Sequence, residues 1–164
     1  MKKWKANKTL LIVGEGYDEV AFLSHIKQFP GVCGRGVEIT IRNARGKGAA
    51  GVIDCAIKLK ANAAFDKVAV LLDTDTDWNA AVAKNAERHG IQVFTSDPCL
   101  EAMLLRVLGK KPGAATDLKK QFDPYVKNDG TRREDYTEFF GLPVLQVARQ
   151  VEPTINELLI LLGL

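Results

Sequence analysis

The chain has 164 residues, of which 46% are hydrophobic and 26% charged, so it is long enough for one well-filled core and is not a disordered chain. The formal net charge of +3 is too small to identify a partner by itself. No run of about 18 apolar residues is present to cross a bilayer, and no apolar signal core follows the first lysines, so we expect a cytoplasmic protein with no membrane partner.

A basic arm occupies residues 1–8. Its lysines surround Trp4 and precede the first predicted strand; they are Lys2, Lys3, Lys5 and Lys8. Such an arm is consistent with a polyanionic partner and also with a solvated chain terminus.

Residues 9–108 show the alternation of strand and helix patterns that is typical of an α/β fold. Unbroken apolar runs such as residues 10–13 predict strands that are buried on both faces of a parallel sheet. The predicted strands are residues 10–13, 37–42, 65–72 and 91–95, and the predicted helices are residues 17–29, 52–64, 78–89 and 98–108. The alternation implies a Rossmann-like domain with a four-stranded, mainly parallel sheet, helices on both faces and right-handed crossovers.

Residues 109–164 change in character. Lysines and arginines stud a region of short predicted helices and turns. Two final helices, at residues 143–150 and 154–163, offer apolar faces. We therefore predict a basic, mainly helical C-terminal extension that packs on the core.

Acidic side chains follow two of the predicted strands. Glu15 stands between two glycines directly after the first strand, and Asp73, Asp75 and Asp77 alternate after the third. Like charges this close repel one another, and a bound cation is the usual compensation. With strand order 2-1-3-4 the first and third strands end at one edge of the sheet, where Glu15 and Asp73 would lie close together. We expect Glu15, Asp73, Asp75 and Asp77 to bind Mg²⁺ or Mn²⁺.

Part of this acidity has a second explanation. Asp77 or Thr76 would also serve as the N-cap of the helix that follows. Capping accounts for one or two of the three acids and leaves the others unexplained.

A loop of small residues at 43–51 carries Arg45 and Lys47. Glycines that lead into a helix N-terminus expose backbone N–H groups, which together with these cations would bind a phosphate. The same loop is also compatible with a plain connection whose cations are solvated.

Three segments resemble motifs of the Toprim family, the metal-dependent catalytic fold of primases, type IA and type II topoisomerases and several nuclease families. The segment EGYDE at residues 15–19 is similar to the E-G-Y-x-D motif of bacterial primases, and DTD at residues 73–75 stands where the family has D-x-D. The segment SDPCLE at residues 96–101 is similar to the S-x-P-x-x-E segment of OLD-like and RloB-like Toprim proteins, many of which belong to anti-phage systems. The resemblance covers residues 9–108 and makes a small Toprim nuclease the closer relative.

The resemblance implies metal-dependent hydrolysis of phosphodiester bonds in DNA or RNA. It gives the catalytic positions to Glu15, Asp73, Asp75 and Glu101, adds Glu101 to the metal ligands, and assigns proton transfer to Glu15. The candidates for contacts with phosphate are Arg45, Lys47, Lys127 and Arg132. A partner protein or a homo-oligomer is compatible with this interpretation.

Two other functions fit part of the pattern. A receiver domain would use Asp73 as a phosphoacceptor, but it needs a pair of acids after the first strand and a lysine after a fifth strand. A non-catalytic Toprim domain would bind nucleic acid or a partner protein without hydrolysis.

Overall fold

The computed structural model describes residues 8–32 and 36–164. The basic arm predicted for residues 1–8 therefore lies outside the described residues, except for Lys8. In the described part of the chain, no helix has the length and apolar character needed to span a membrane.

A four-stranded sheet forms the centre of the domain. All three strand pairings are parallel, and the order is β2-β1-β3-β4. The strands are β1 (Lys8–Gly14), β2 (Val37–Asn43), β3 (Lys67–Asp73) and β4 (Ile91–Ser96). The predicted α/β fold, with its four parallel strands and central first and third strands, is confirmed.

Seven α-helices accompany the sheet in the described residues. They are α1 (Tyr17–Lys27), α2 (Gly48–Asn62), α3 (Ala80–Arg88), α4 (Leu100–Val107), α5 (Leu118–Phe122), α6 (Leu142–Ala148) and α7 (Pro153–Leu161). Short 3₁₀ turns lie between α4 and α6, among them Arg133–Tyr136.

Three helices begin two or more residues from the predicted start, among them α3, which begins at Ala80 instead of residue 78 because Asn79 is its N-cap. Helix α2 begins at Gly48, ahead of the predicted residue 52. The small residues at positions 48–51, which the sequence pattern placed in a loop, form its first turn. Helix α4 begins at Leu100 with Cys99 as its N-cap, so Pro98 precedes the helix instead of lying in its first turn. The Asp97–Pro98 peptide bond is cis.

The two faces of the sheet carry separate apolar clusters. Helices α2 and α3 cover one face, where Val52, Ile53 and Ala86 pack on Leu11 and Val70. Helices α1 and α4 cover the other face together with residues 118–162. The C-terminal third thus completes one of the two cores and is not an appendage.

Aromatic side chains join the C-terminal region to α1. Tyr136 is fully buried, its ring lies edge-on to Phe22, and its hydroxyl donates to the carbonyl oxygen of Gly130 over 2.7 Å. His25 is also buried, with Nε2 2.6 Å from the carbonyl oxygen of Phe140.

The C-terminal region is not basic, contrary to the prediction. In residues 109–164 the acidic side chains equal the basic ones in number, so the region carries many cations without a net positive charge.

Gly14 allows β1 to end against the first turn of α1. A Cβ atom at this position would lie 2.9 Å from Cγ2 of Val20 and 3.0 Å from its backbone nitrogen. Real Cβ atoms essentially never approach another atom to 2.9 Å, and a backbone contact of 3.0 Å is tighter than almost all that they make, so any larger residue would force the first turn of α1 to shift.

We predict that Gly14→Ala destabilises the protein by about 1–3 kcal/mol, the range for inserting a methyl group into a packed site. Chemical denaturation would measure this loss. Gly141→Ala is the matched control, because its Cβ would meet Pro143 at an ordinary 3.7 Å. Equal stability of the two variants would contradict the close contact at Gly14.

Candidate functional site

The carboxyl ends of β1 and β3 bring Glu15 and Asp73 together. The side chain of Glu15 is 9% exposed, and its Oε2 accepts a hydrogen bond of 2.7 Å from the backbone N–H of Asp73. The backbone of Glu15 is also fixed, since its N–H donates to Leu71 and its carbonyl accepts from Gly46. These three hydrogen bonds fix Glu15 relative to β3 and to the loop that follows β2.

Asp73 is the centre of a group of carboxylates that we call the acidic cluster. Its other members are Glu15, Asp18, Glu19, Asp75 and Glu101. Asp73 is the last residue of β3, and its Oδ1 is buried without a hydrogen-bond partner in the described part of the chain. Burial, followed by the charges of Glu19, Glu15, Asp75 and Glu101, raises its pKa to about 9. Burial and these neighbouring charges therefore favour the protonated form of Asp73 in the metal-free protein.

Two members of this cluster, Asp18 and Glu19, are absent from the sequence prediction. Glu19 is buried in the first turn of α1, and its Oε2 accepts from the backbone N–H of Gly16 over 2.9 Å. Burial raises the pKa of Glu19 to about 7 and the pKa of Asp18 to about 6, and Glu101 adds to the rise at Asp18. The only signal in the sequence was their position in the helix turn directly after Glu15. Acidic residues are common in the first turn of any helix, so this signal did not single them out.

Glu101 reaches the cluster from the first turn of α4. It is half-buried, and its charge contributes to the raised pKa values of Asp73 and Asp18. Burial, with added repulsion from Glu101 and Asp73, raises the pKa of the Cys99 thiol to about 12, so this cysteine stays protonated. Of the predicted acids, Glu15, Asp75 and Glu101 thus lie near enough to Asp73 for their charges to raise its pKa.

The Asp77 side chain binds the N-terminus of helix α2. Its Oδ1 accepts from the backbone N–H of Ala49 over 2.6 Å, and its Oδ2 accepts from Ala50 over 3.2 Å. These two hydrogen bonds lower the pKa of Asp77. The following helix, α3, is capped instead by Asn79. The expectation that Asp77 or Thr76 caps that helix is therefore wrong, because Asp77 caps α2.

This contact also changes the interpretation of the loop at residues 43–51. The N-terminus of α2, predicted to receive a phosphate, already holds the Asp77 carboxylate. Gly48 has φ +71°, and a Cβ there would lie 2.6 Å from the Asp77 side chain. Arg45 and Lys47 are both exposed. They remain candidates for phosphate contacts through their side chains.

The other predicted phosphate contacts lie further along the chain. Lys127 and Arg132 are exposed and flank Asp129 in the turn before Arg133. A cation that the sequence prediction did not select, Lys119, lines a small cavity of about 20 Å³ together with Asp18 and Glu101. Its charge partly offsets the raised pKa of Asp18.

The loop that follows β3 is held by the loop that follows β4. The backbone N–H groups of Thr74 and Asp75 both donate to the carbonyl of Pro98, each over 3.1 Å. The Thr74 hydroxyl donates to Oδ1 of Asp97 over 2.7 Å. Ser96, which lies in register with Asp73, has a fully buried hydroxyl without a hydrogen-bond partner among the described residues.

Arg106 extends this support to the C-terminal helices. Its Nη1 donates to the carbonyl oxygen of Asp97 over 2.8 Å, while its Nε pairs with the buried carboxylate of Glu152 at the start of α7. The position of the Asp73–Asp75 segment therefore depends on contacts that begin in α4 and α7.

The carboxyl oxygens that could hold a divalent cation are those of Asp73 and its acidic neighbours. Within residues 8–32 and 36–164, no three Asp, Glu, His or Cys side chains already stand together as a formed ligand group. Comparison of the chain with protein-family models, with curated proteins and with solved structures gives no match.

We predict that the metal-free protein loses stability as the pH rises from about 4 to 9. The pKa of Asp73 in the folded protein, about 9, lies above its ordinary value of 3.8, so folding binds a proton in this window. Asp73→Asn reduces this dependence, of which Glu19 and Asp18 keep a part, and should melt about 3 °C or more above the wild type at pH 8 in EDTA. The difference in melting temperature between Asp73→Asn and the wild type should decrease as the pH falls. Asp54→Asn, on an exposed part of α2, is the control, and a destabilised Asp73→Asn at pH 8 would contradict the burial of a repelled charge.

A second prediction concerns the cap of α2. Asp77→Ala should cost about 1 kcal/mol, because two backbone N–H groups lose their acceptor. Asp77→Asn should cost less, since its amide oxygen still accepts. Asp75→Ala is the comparison and should be neutral or stabilising, because it relieves repulsion at Asp73. Equal loss in Asp77→Ala and Asp75→Ala, measured by denaturant unfolding, would argue against the cap.

Proposed function

We propose that this protein hydrolyses phosphodiester bonds in nucleic acid, with Mg²⁺ or Mn²⁺ held by the acidic cluster. The observation that carries the proposal is the Oδ1 atom of Asp73, a buried carboxyl oxygen without a hydrogen-bond partner among the described residues. An unsatisfied buried acceptor among like charges is costly, and a hard cation satisfies both the oxygen and the charge.

The donor set fits such a cation. Asp73, Asp75 and Glu101 offer only carboxyl oxygens, which Mg²⁺ and Mn²⁺ prefer over nitrogen and sulfur. The raised pKa of Asp73 would fall when the cation replaces its proton, so binding should strengthen as the pH rises. Asp77 is left out of the proposed set because both of its oxygens bind backbone N–H groups of α2.

The metal, when bound, supplies activation of a water and stabilisation of charge on the phosphoryl oxygens. Glu15 is held by the N–H of Asp73, and burial raises its pKa toward the range useful for proton transfer, the role implied by the Toprim resemblance. Glu19 fixes the turn beneath it through Gly16. Lys119 joins Lys47, Lys127 and Arg132 as a candidate for contact with the phosphate.

The receiver alternative has less support. The described residues form four strands, whereas the receiver site needs a lysine after a fifth. A phosphoacceptor aspartate must also be ionised to attack, and burial beside four carboxylates holds the pKa of Asp73 at about 9.

The test is hydrolysis of fluorescently labelled single-stranded DNA, single-stranded RNA and duplex DNA in Mg²⁺, Mn²⁺ or EDTA. We expect metal-dependent cleavage by the wild type. Glu15→Gln and Asp73→Asn should lose about 100-fold or more of the rate, the usual cost of removing a group that stabilises charge in the transition state. Both keep the shape of the side chain, so the fold should survive.

Asp77→Asn is the matched control, since it makes the same chemical change in the same loop and should retain cleavage. Identical purification of the inactive variants excludes a contaminating nuclease. No cleavage of any substrate by the wild type would contradict the proposal and favour a binding protein without catalysis, and acetyl-phosphate labelling of Asp73 would favour the receiver.

A further inference from the structure

A polar groove runs along the open edge of the sheet. It has a volume of about 460 Å³ and lies between the C-terminal half of α1 and strand β2, which has a neighbour on one side only. We call it the β2 groove, and its walls are Ser24, Lys27, Gln28, residues 39–42 and Arg133. Three of these residues are cations, and none of the described residues that line the groove is acidic.

The cations of the β2 groove project from three separate parts of the chain. Nζ of Lys27, on α1, donates to the carbonyl oxygen of Ile39 over 2.7 Å, and Nη1 of Arg42, on β2, donates to that of Ile41 over 3.2 Å. Arg133 is exposed and pairs with the equally exposed Glu134 over 3.0 Å. An exposed pair of this kind is weak, so a phosphate can replace Glu134 at little cost.

The groove leads to the acidic cluster. Strand β2 runs toward the carboxyl edge of the sheet, and just beyond its end Ala44 donates to the carbonyl of Gly14 and Gly46 donates to that of Glu15. Arg45, exposed between these two residues, therefore lies beyond the end of β2, beside the backbone of Glu15. It adds a cation between Arg42, which lines the groove, and the cluster.

Tyr17 marks the same end of the groove on the helix side. It is the first residue of α1, two positions after Glu15, and it is 64% exposed. Helical spacing puts Tyr17 on one face of α1 with Ser24 and Gln28, and the distance from Tyr17 to Ser24 along the helix axis is about 10 Å. A large aromatic ring in water beside a phosphate track is the feature on which an unpaired base stacks.

We propose that the β2 groove binds the sugar–phosphate backbone of an unpaired nucleic-acid strand and leads it to the acidic cluster, with Tyr17 stacking on a base. This inference rests on the proposed function, because it names the form of nucleic acid that reaches Asp73. An unpaired strand is favoured over a duplex because only an unpaired base offers its face to Tyr17. The backbone contacts are common to DNA and RNA, so both are included in the test.

The experiment measures binding in EDTA, where hydrolysis does not interfere. Fluorescence anisotropy would follow short labelled oligothymidylate, oligouridylate and a DNA duplex at several salt concentrations between about 50 and 200 mM. We expect the wild type to bind an unpaired strand more tightly than the duplex. Tighter binding of oligouridylate than of oligothymidylate would then identify RNA as the preferred strand, and the reverse order would identify DNA.

The double variant Arg42→Gln/Arg133→Gln should bind more weakly, and its salt dependence should be flatter by about 1.4 in log–log slope, that is, about 0.7 for each phosphate contact with a single strand. Lys58→Gln/Lys84→Gln is the matched control. It removes two exposed charges from α2 and α3, on the opposite face of the sheet, and should leave the slope unchanged.

Tyr17→Ala should weaken binding of the unpaired strand about tenfold, while Tyr17→Phe should stay within about twofold of the wild type because it keeps the ring. All the substituted side chains are exposed, so the folds should be intact, which thermal melting checks.

Three results would overturn the inference: an unchanged slope in Arg42→Gln/Arg133→Gln, an equal change in the lysine control, or tighter binding of the duplex. A poly-glutamate peptide that binds as tightly as the oligonucleotide, with no effect of Tyr17→Ala, would assign the groove to an acidic protein instead. Failure of the proposed function is seen separately, as absence of hydrolysis by the wild type in Mg²⁺ and Mn²⁺.

Discussion

The carboxyl group of Asp73 sets the electrostatic constraint on this protein. It ends a central strand of the sheet with its Oδ1 buried, and the fold brings the carboxylates of Glu15, Glu19 and Glu101 near it. In the metal-free protein protonation of the Asp73 carboxyl relieves the repulsion. In the proposed enzyme a cation would relieve the same repulsion, so pH and metal concentration would act on the same carboxyl group.

The three acids of the loop after β3 show how the backbone divides similar residues among different roles. Asp73 faces the buried cluster, Asp75 is exposed beside it, and Asp77 reaches across to the first turn of α2. The same loop therefore contacts the N-termini of α2 and α3 as well as the acidic cluster. Helix capping accounts for Asp77 and leaves Asp73 and Asp75 to the proposed cation site.

The fold and much of the cluster could be predicted from the sequence, because they depend on local signals. Buried apolar runs identified the strands, and carboxylates at strand ends identified Glu15 and Asp73. The partner of Asp77 lies 28 residues away in sequence, and no local pattern reports such a contact. Glu19 was missed for a related reason, since its burial comes from the packing of α1 on the sheet, whereas its sequence position is that of an ordinary helix-start acid.

The bond of Arg106 to the carbonyl of Asp97, together with its pairing to Glu152, has a consequence for how this chain can diverge. Residues 9–108 carry all the motifs, yet the segment that orients Asp75 is anchored through a carboxylate at the start of α7. The position of the acidic loop therefore depends on the C-terminal helices as well as on the core. A substitution in the last third of the chain can displace the Asp73–Asp75 segment even though every motif stays intact.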